Sequence, residues 1–229
     1  MYERFIKRFL DIVLSLTAII LLSPILLVLA VLVRIKLGSP VIFSQPRPGY
    51  HEKIFVMHKF RSMSDARDAN GNLLPDDVRL TPFGAKLRDT SLDELPELFN
   101  ILKGDMSIVG PRPQLVRDIV FMSDEQRKRA DVRPGLTGLA QINGRNAIAW
   151  DAKLAYDLEY IRKVTFIGDM KIVLGTVRKV FAKEDITMDG MATAMDLGDD
   201  LLQKCMITRE VYEQKQDEAR QLLKKAGLR

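Results

Sequence analysis

The sequence predicts a mainly α protein with a small β-hairpin, held to one face of a membrane by a re-entrant N-terminal helix and interfacial amphipathic helices. Three observations predict this class. From Ile12 to Val33 there are 22 residues without a charge, interrupted only by Ser15, Thr17, Ser23 and Pro24. The rest of the 229-residue chain holds nearly all of the 35 Lys/Arg and 30 Asp/Glu, for a net charge of +5. Helical spacing dominates that charged part, and extended patterning is confined to a short stretch just after the apolar run. Such a distribution excludes a multi-span transporter, a disordered polymer and a collagen-like repeat. The single cysteine, Cys205, excludes a disulfide framework within the chain. With only His51 and His58 beside that thiol, no zinc-ligand cluster of the usual kind can be assembled. The soluble part is therefore expected to face a reducing cytoplasm, and no nucleic acid is expected among its partners.

The apolar segment comes first in the chain. A 22-residue helix is roughly 33 Å long, enough to cross a hydrocarbon core of about 30 Å. Two features favour entry and return at the same face instead. Ser23-Pro24 sits at the middle of the run, where proline removes an amide donor and clashes with the preceding turn, so a kink or break is expected there. Basic residues flank both ends, Arg4, Lys7 and Arg8 before it and Arg34 and Lys36 after it, and basic flanks favour the cytoplasmic side. A kinked single span remains the alternative. A cleaved signal peptide fits the outline less well, because Arg34-Ile35-Lys36 stands where small residues should mark cleavage.

Beyond the anchor, Val41-Ile42-Phe43 and Ile54 to Met57 read as two short strands of a hairpin. Residues 64 to 82 carry the turn signals Asn70-Gly71 and Pro75-Asp76-Asp77 and read as a long surface loop with a helical turn. Leu92, Leu95, Leu98, Phe99 and Leu102 recur at helical spacing after Ser91. A further helix is expected from Gln114 to Phe121, with Ser123 capping another turn. Residues 132 to 146 are glycine-rich and irregular. Asp151 to Lys163 and Phe166 to Lys183 then read as helices, the second with Met170, Val173, Leu174, Val177 and Phe181 opposite Lys171, Arg178, Lys179 and Lys183. That pattern suits a helix lying on an anionic membrane surface, and equally a core helix with a solvated side. Three units are expected: an anchor over residues 1–37, a cytosolic domain over 38–190 and a charged extension over 191–229, whose last helix, from Thr208, is expected to be solvated or to bind a partner.

No phosphate loop, dinucleotide fingerprint or kinase signature is present, and the two histidines offer no hydrolase triad. Asp93 and Glu94 lie in Ser91-Leu92-Asp93-Glu94-Leu95-Pro96, where Ser91 and Glu94 have the spacing of a capping box. A helix start carrying carboxylates can also bind Mg²⁺ and, through free amides, phosphate oxygens. Three arginines precede prolines: Arg47, Arg112 and Arg133. Proline restricts the residue before it, and guanidinium forks suit phosphate. With Lys59, Arg61 and Arg88 flanking the acidic turn, the pattern points to an anionic substrate and to phosphoryl chemistry at a membrane.

Four longer motifs are shared with one family. They are Lys59-Phe60-Arg61-Ser62-Met63, the acidic segment Ser91 to Asn100, Lys103 to Pro113 and Val132 to Arg145. Over residues 1 to 190 the sequence resembles the bacterial sugar transferases, the small monotopic phosphoglycosyl transferases. The resemblance implies an enzyme that moves a sugar 1-phosphate from a UDP-sugar to undecaprenyl phosphate and releases UMP. It implies Asp93 as nucleophile, a required Mg²⁺ at Asp93 and Glu94, Glu94 being either a metal ligand or a proton handler, and the re-entrant helix broken at Ser23 and Pro24. It places the protein on the cytoplasmic face of the bacterial inner membrane, among membrane lipids and with downstream glycosyltransferases as a partner class. On the mechanism the resemblance implies, phosphate contacts fall to Arg112, Arg88, Lys59, Arg133 and Arg145, and weakly a nucleotide contact to Gln141 and Asn143. The loop Asp68 to Asp77 is most similar to the branch using UDP-N,N'-diacetylbacillosamine in protein glycosylation; UDP-N-acetylglucosamine, UDP-N-acetylgalactosamine and UDP-galactose are the alternative donors. A non-enzymatic membrane adaptor in a glycan-assembly complex is the rival reading. It explains the anchor but not the gathering of arginines and carboxylates in loops.

Overall fold

The computed structural model describes residues 2–144, 148–182 and 195–228. Arg145, Lys183 and the expected boundary between residues 190 and 191 lie outside the described residues, as do the side chains of Arg4 and Phe181.

After a short turn at Tyr2–Ile6, helix α1 runs from Lys7 to Leu37 without interruption, with Pro24 inside it. Of the kink or break expected at Ser23-Pro24, the break is corrected: the helix is assigned without interruption across both residues. The local reason is visible. Pro24 cannot donate to the carbonyl of Ile20, and the Ser23 hydroxyl donates to that oxygen instead, at 2.8 Å. One stripe of α1 is buried along its whole length. Asp11 and Ser15 are buried near its start, Ala18, Ile19 and Leu22 pack beside Leu98, Ile101 and Met106, and Leu29, Val33 and Leu37 pack with Phe60 and Leu87. The opposite face is bare, Leu21 and Ile35 being about 70% exposed (72% and 70%). This is the one helix, among the described residues, that is long and apolar enough to cross a membrane.

The hairpin is longer than its expected strands. Strand β1 (Ile42–Pro48) pairs antiparallel with β2 (Ile54–Phe60), from Ile42 opposite Phe60 to Pro48 opposite Ile54. Pro46 and Pro48 are tolerated because β1 has a free edge. The loop that follows holds the expected turn, α2 (Asp76–Arg79), and then α3 (Pro82–Asp89), capped by the Thr81 hydroxyl. A single 3₁₀ turn, Leu92–Glu94, precedes α4 (Glu97–Lys103).

A second, parallel pair has no local signal in the sequence. Strand β3 (Ser107–Val109) pairs with β4 (Gly135–Thr137), the crossover running through α5 (Val116–Ile119) and α6 (Asp124–Arg127). Here glycine is required by close approach: a Cβ on Gly135 would stand 2.1 Å from the amide nitrogen of Gly110. Helix α7 (Leu139–Ile142) follows, then α8 (Trp150–Arg162) and α9 (Phe166–Ala182). The expected apolar face of α9 is divided. Ile172 is buried and Val173 packs toward the core, while Phe166, Ile167, Met170, Leu174 and Val177 are exposed. That apolar exposure, with that of α1, is consistent with a monotopic membrane protein.

Helices α10 (Leu197–Gln203) and α11 (Arg209–Lys225) end the described chain. The helix from Thr208 was expected to be solvated or to bind a partner; its Ala219, Leu222 and Leu223, with Leu197 of α10, instead close a cluster with Val116, Ile119, Trp150 and Leu154. Tyr212 stacks on Phe121, and the amide of Leu197 donates to Asp118.

Candidate active site

The acidic turn is built by apolar anchors rather than by a cap. Leu92 and Leu95 pack into the cluster of Leu29, Val33, Phe60 and Leu87, pinning Leu92–Glu94 between α1 and β2. The expected capping box is absent, a second correction. Ser91 takes a left-handed conformation, φ 54°, and makes no side-chain cap. Left-handed backbone is unfavourable for a residue with a Cβ, and such strain collects at functional turns.

Asp93 is buried, and among the described residues its carboxylate makes no hydrogen bond or ion pair. Burial, reinforced by the adjacent Glu94 charge, pushes its pKa up to about 6, against the pull of Lys59, Arg112 and Arg88. Glu94 behaves oppositely. Burial acts to raise it too, but Arg112 and Lys59 outweigh that and hold it well below the usual carboxylate range. One oxygen, Glu94 Oε1, accepts from both the Arg112 guanidinium and Lys59 Nζ, the latter at 2.8 Å. The Glu94 charge in turn raises Arg112 further above its ordinary value. Lys59 also lies 3.1 Å from Glu97 Oε1. Glu97 is fully buried, and burial pushes its carboxyl up.

Each of these groups is held from behind. Lys59 belongs to β2, and β2 is stitched to α4 by Asn100, whose side chain accepts from the His58 amide at 3.1 Å and donates to the Val56 carbonyl at 2.8 Å. Arg112 follows β3, and its carbonyl accepts from Arg129 at 2.6 Å. Arg129 is itself fixed by the buried Asp157, at 2.9 and 2.7 Å. Arg47 donates to the carbonyl of Pro113 at 3.1 Å. Arg88, on α3, donates to the Ser62 hydroxyl at 3.0 Å.

Of the five expected phosphate contacts, Lys59, Arg88 and Arg112 thus act on Asp93. Arg133 does not. Its Nε donates to the Gly104 carbonyl at 2.9 Å and its guanidinium lies over the Tyr50 ring, so the third Arg-Pro pair points to another place. Asn143 donates to the Leu139 carbonyl of its own loop at 2.8 Å. Gln141 is half-buried, with both amide atoms buried and unpartnered, and no contact joins it to the acidic turn among the described residues. The sequence reading missed Glu97, Asn100, Arg129 and Asp157. Only Glu97 left a trace, its place one helical turn after Glu94.

Among the described residues no three His, Cys, Asp or Glu side chains form a metal cage. Mg²⁺ does not need one, since it is commonly held by one or two carboxylates together with substrate phosphates and water. The unpartnered carboxylate of Asp93 beside Glu94 fits that mode. A buried carboxylate lifted by its burial, a neighbour held ionised and three cations make a charge pattern that suits phosphoryl chemistry, on a mainly α protein with one long apolar helix.

The comparisons with known proteins agree. The bacterial sugar transferase family model matches residues 2–183. The uncharacterized sugar transferase EpsL of Bacillus subtilis is 48% identical over 82% of this chain and 94% of its own length. The undecaprenyl-phosphate galactose phosphotransferase of Salmonella typhimurium is 36% identical over 80% of this chain. An undecaprenyl-phosphate N-acetylgalactosaminephosphotransferase of Aeromonas hydrophila, named for its UDP-N-acetylgalactosamine donor, is 40% identical over 77% of it. The chain spans less than half the length of those last two relatives, 42% and 44%. The protein belongs to the bacterial sugar transferase family and is a phosphoglycosyl transferase.

Proposed function

We propose that this protein transfers a sugar 1-phosphate from a UDP-sugar to undecaprenyl phosphate at the cytoplasmic face of the bacterial inner membrane, through an aspartyl phosphosugar on Asp93. The observation that carries the reading is the pairing of Asp93, buried and unpartnered, with Glu94, neutralised by Lys59 and Arg112. Two phosphate anions repel, so dividing the transfer through a covalent carboxyl phosphate avoids joining them directly.

In the first step a carboxylate oxygen of Asp93 attacks the phosphorus that bears the sugar. The bond from that phosphorus to the UMP oxygen breaks, and UMP leaves with the bonding pair. In the second step an oxygen of the lipid phosphate attacks the same phosphorus, and the carboxylate of Asp93 leaves. Lys59, Arg88 and Arg112 offset the charge that accumulates on the phosphate oxygens in both steps. Glu94, kept ionised, fixes Arg112 and Lys59 in place. Mg²⁺, held by Asp93 and Glu94 when bound, would add positive charge at the same oxygens.

The anchor suits the acceptor, whose phosphate lies at headgroup level. Both ends of α1 rest on the same domain, Arg8 donating to the carbonyls of Ile101 and Leu102 and Val33 packing beside Phe60 and Leu87. That arrangement supports a helix that enters and leaves one face of the bilayer. For the donor we carry forward UDP-N,N'-diacetylbacillosamine, on the likeness of the Asp68 to Asp77 loop, against the galactose, glucose and N-acetylgalactosamine that relatives are named for. A panel of these UDP-sugars with undecaprenyl phosphate, with and without Mg²⁺, tests the reading by UMP release. Preference for a plain hexose would replace the donor and keep the reaction, whereas no UMP from any donor would refute the proposed activity.

A further inference from the structure

The Arg-Pro pair that the acidic turn does not use leads to a second site. Arg133 stands at the entrance to β4, and Ser107 stands at the start of β3, its register partner being Gly135. Among the described residues no hydrogen bond or ion pair joins Arg8, Ser107 or Arg133 to Asp93, Glu94, Lys59 or Arg112, so the two groups of side chains are built separately. At the Ser107 end a cavity of about 490 Å³ is lined by Arg8, Ser107, Arg133 and the N-terminal residues of the anchor.

Three features of this cavity call for an anion. Arg8 and Arg133 grip the same turn, Arg8 at the carbonyls of Ile101 and Leu102 and Arg133 at that of Gly104, so two guanidiniums stand together with no carboxylate bridging them. Arg133 spends only its Nε there, which leaves the two terminal nitrogens of the fork unspent among the described contacts. Ser107 is 1% exposed, and its hydroxyl has no hydrogen-bond partner. A buried hydroxyl without a partner is costly unless a ligand completes it. The other charged groups lining the cavity are accounted for: Lys7 is paired with Asp169 at 2.6 Å, and Asp11 accepts from the Ile108 amide at 3.0 Å. Glu3 and Asp131 are exposed at its rim. Among the described residues, Arg8 and Arg133 outnumber Asp11, the one carboxylate of the interior without an ion pair, and the rim is acidic.

The level of the cavity follows from its neighbours. Phe5 and Phe9, on either side of Arg8 in sequence, are 72% and 65% exposed, and the apolar run begins three residues beyond Phe9, at Ile12. Exposed apolar side chains so placed suit burial at the boundary between headgroups and acyl chains.

We infer that Arg8, Arg133 and Ser107 form a second phosphate-ester site at the base of the anchor, separate from the Asp93 centre. Its ligand is a phosphate group accepting from the Arg133 fork and the Ser107 hydroxyl, supplied either by a membrane phospholipid or by a free phosphate. The inference does not depend on the transfer reaction, since it rests on residues outside it.

The test uses the full chain in neutral detergent micelles and two soluble probes followed by ³¹P NMR titration: dihexanoylphosphatidylglycerol, a phosphodiester, and inorganic phosphate. Saturable, salt-sensitive binding of at least one probe is expected, weakened at least fivefold by Arg133→Gln and by Ser107→Ala. Binding of the diester alone assigns the site to lipid headgroups, and binding of inorganic phosphate alone assigns it to free phosphate. Arg133→Gln also removes a contact to Gly104, so Ser107→Ala is the decisive variant. It deletes only an unpartnered hydroxyl, and its melting temperature should equal or exceed that of the parent. Absence of saturation with both probes, or wild-type affinity in Ser107→Ala, would overturn the site; binding that persists there belongs to the Asp93 centre.

Discussion

Asp93 and Glu94, adjacent in the chain and both within the protein, titrate in opposite directions: burial lifts Asp93 to about 6, while Arg112 and Lys59 hold Glu94 below the usual carboxylate range. Neighbouring carboxyls driven apart in this way can take separate roles. A nucleophile must be ionised to attack yet gains basicity from a raised pKa, and a carboxylate that organises cations must stay ionised throughout. The geometry gives Asp93 the first role and Glu94 the second.

The acid limb of the pH profile should therefore report Asp93. Turnover per donor bound, kcat/KM for the UDP-sugar, is expected to fall as pH drops through about 6, with tenfold loss per unit below it. Glu94 adds no second limb in that range because it is ionised well below it. A profile flat from pH 5 to 8 would remove Asp93 from the nucleophile's role.

Asp93→Asn should be inactive and more stable. The folded pKa is raised above the unfolded value of about 3.9, so the ionised carboxylate opposes folding. That penalty is complete above pH 6 and vanishes below the unfolded pKa. The variant is expected to gain on the order of 2 kcal/mol at pH 7.5 and nothing near pH 4, read as a melting-temperature difference at the two pH values. A variant less stable than the parent at pH 7.5 would contradict this.

Gly84→Ala should unfold the cation side of the site. A Cβ at Gly84 would lie 1.7 Å from the Ser62 carbonyl oxygen, a backbone atom that cannot step aside. The displaced Ser62 is the partner of Arg88. A loss of about 3 kcal/mol is expected by thermal melting, at the upper end for overpacking. Unchanged stability would show that α3 does not sit against residue 62 as described.

How much of this was readable beforehand differs from place to place. The apolar run, the hairpin and the two helices α8 and α9 announce themselves because their side chains repeat with the period of the element they form. The parallel pair of β3 and β4 does not, since three residues at each strand, joined only across a long crossover, carry no local period. The capping box at Ser91 and Glu94 failed because burial of Leu92 and Leu95 dictates the backbone, and Glu94 then finds Lys59 and Arg112 rather than an amide. Asp93, Lys59, Arg88 and Arg112 were legible as residue types beside shared motifs. Arg133 shows the limit of that reasoning: a proline stiffens the residue before it without saying where the guanidinium points. The tail misled through its charge, because Tyr212, Ala219, Leu222 and Leu223 make a narrow packed face on an otherwise charged helix.

The topology of the anchor can be tested with cysteines at Glu3 and Ser39, one at each end of α1, in a Cys205→Ser background because Cys205 is exposed. A membrane-impermeant thiol reagent should label neither position in intact cells and both after permeabilisation. Labelling of one end from outside would establish a single span.

The covalent intermediate is tested most directly by intact mass of the full chain after incubation with Mg²⁺ and the best UDP-sugar of the panel, with no lipid added. The account predicts a mass increase equal to one sugar phosphate, UMP released in equal amount, loss of the adduct when undecaprenyl phosphate is supplied, and none of these in Asp93→Asn. UMP release that requires the lipid and never passes through an adduct, or an adduct that survives in Asp93→Asn, would contradict it.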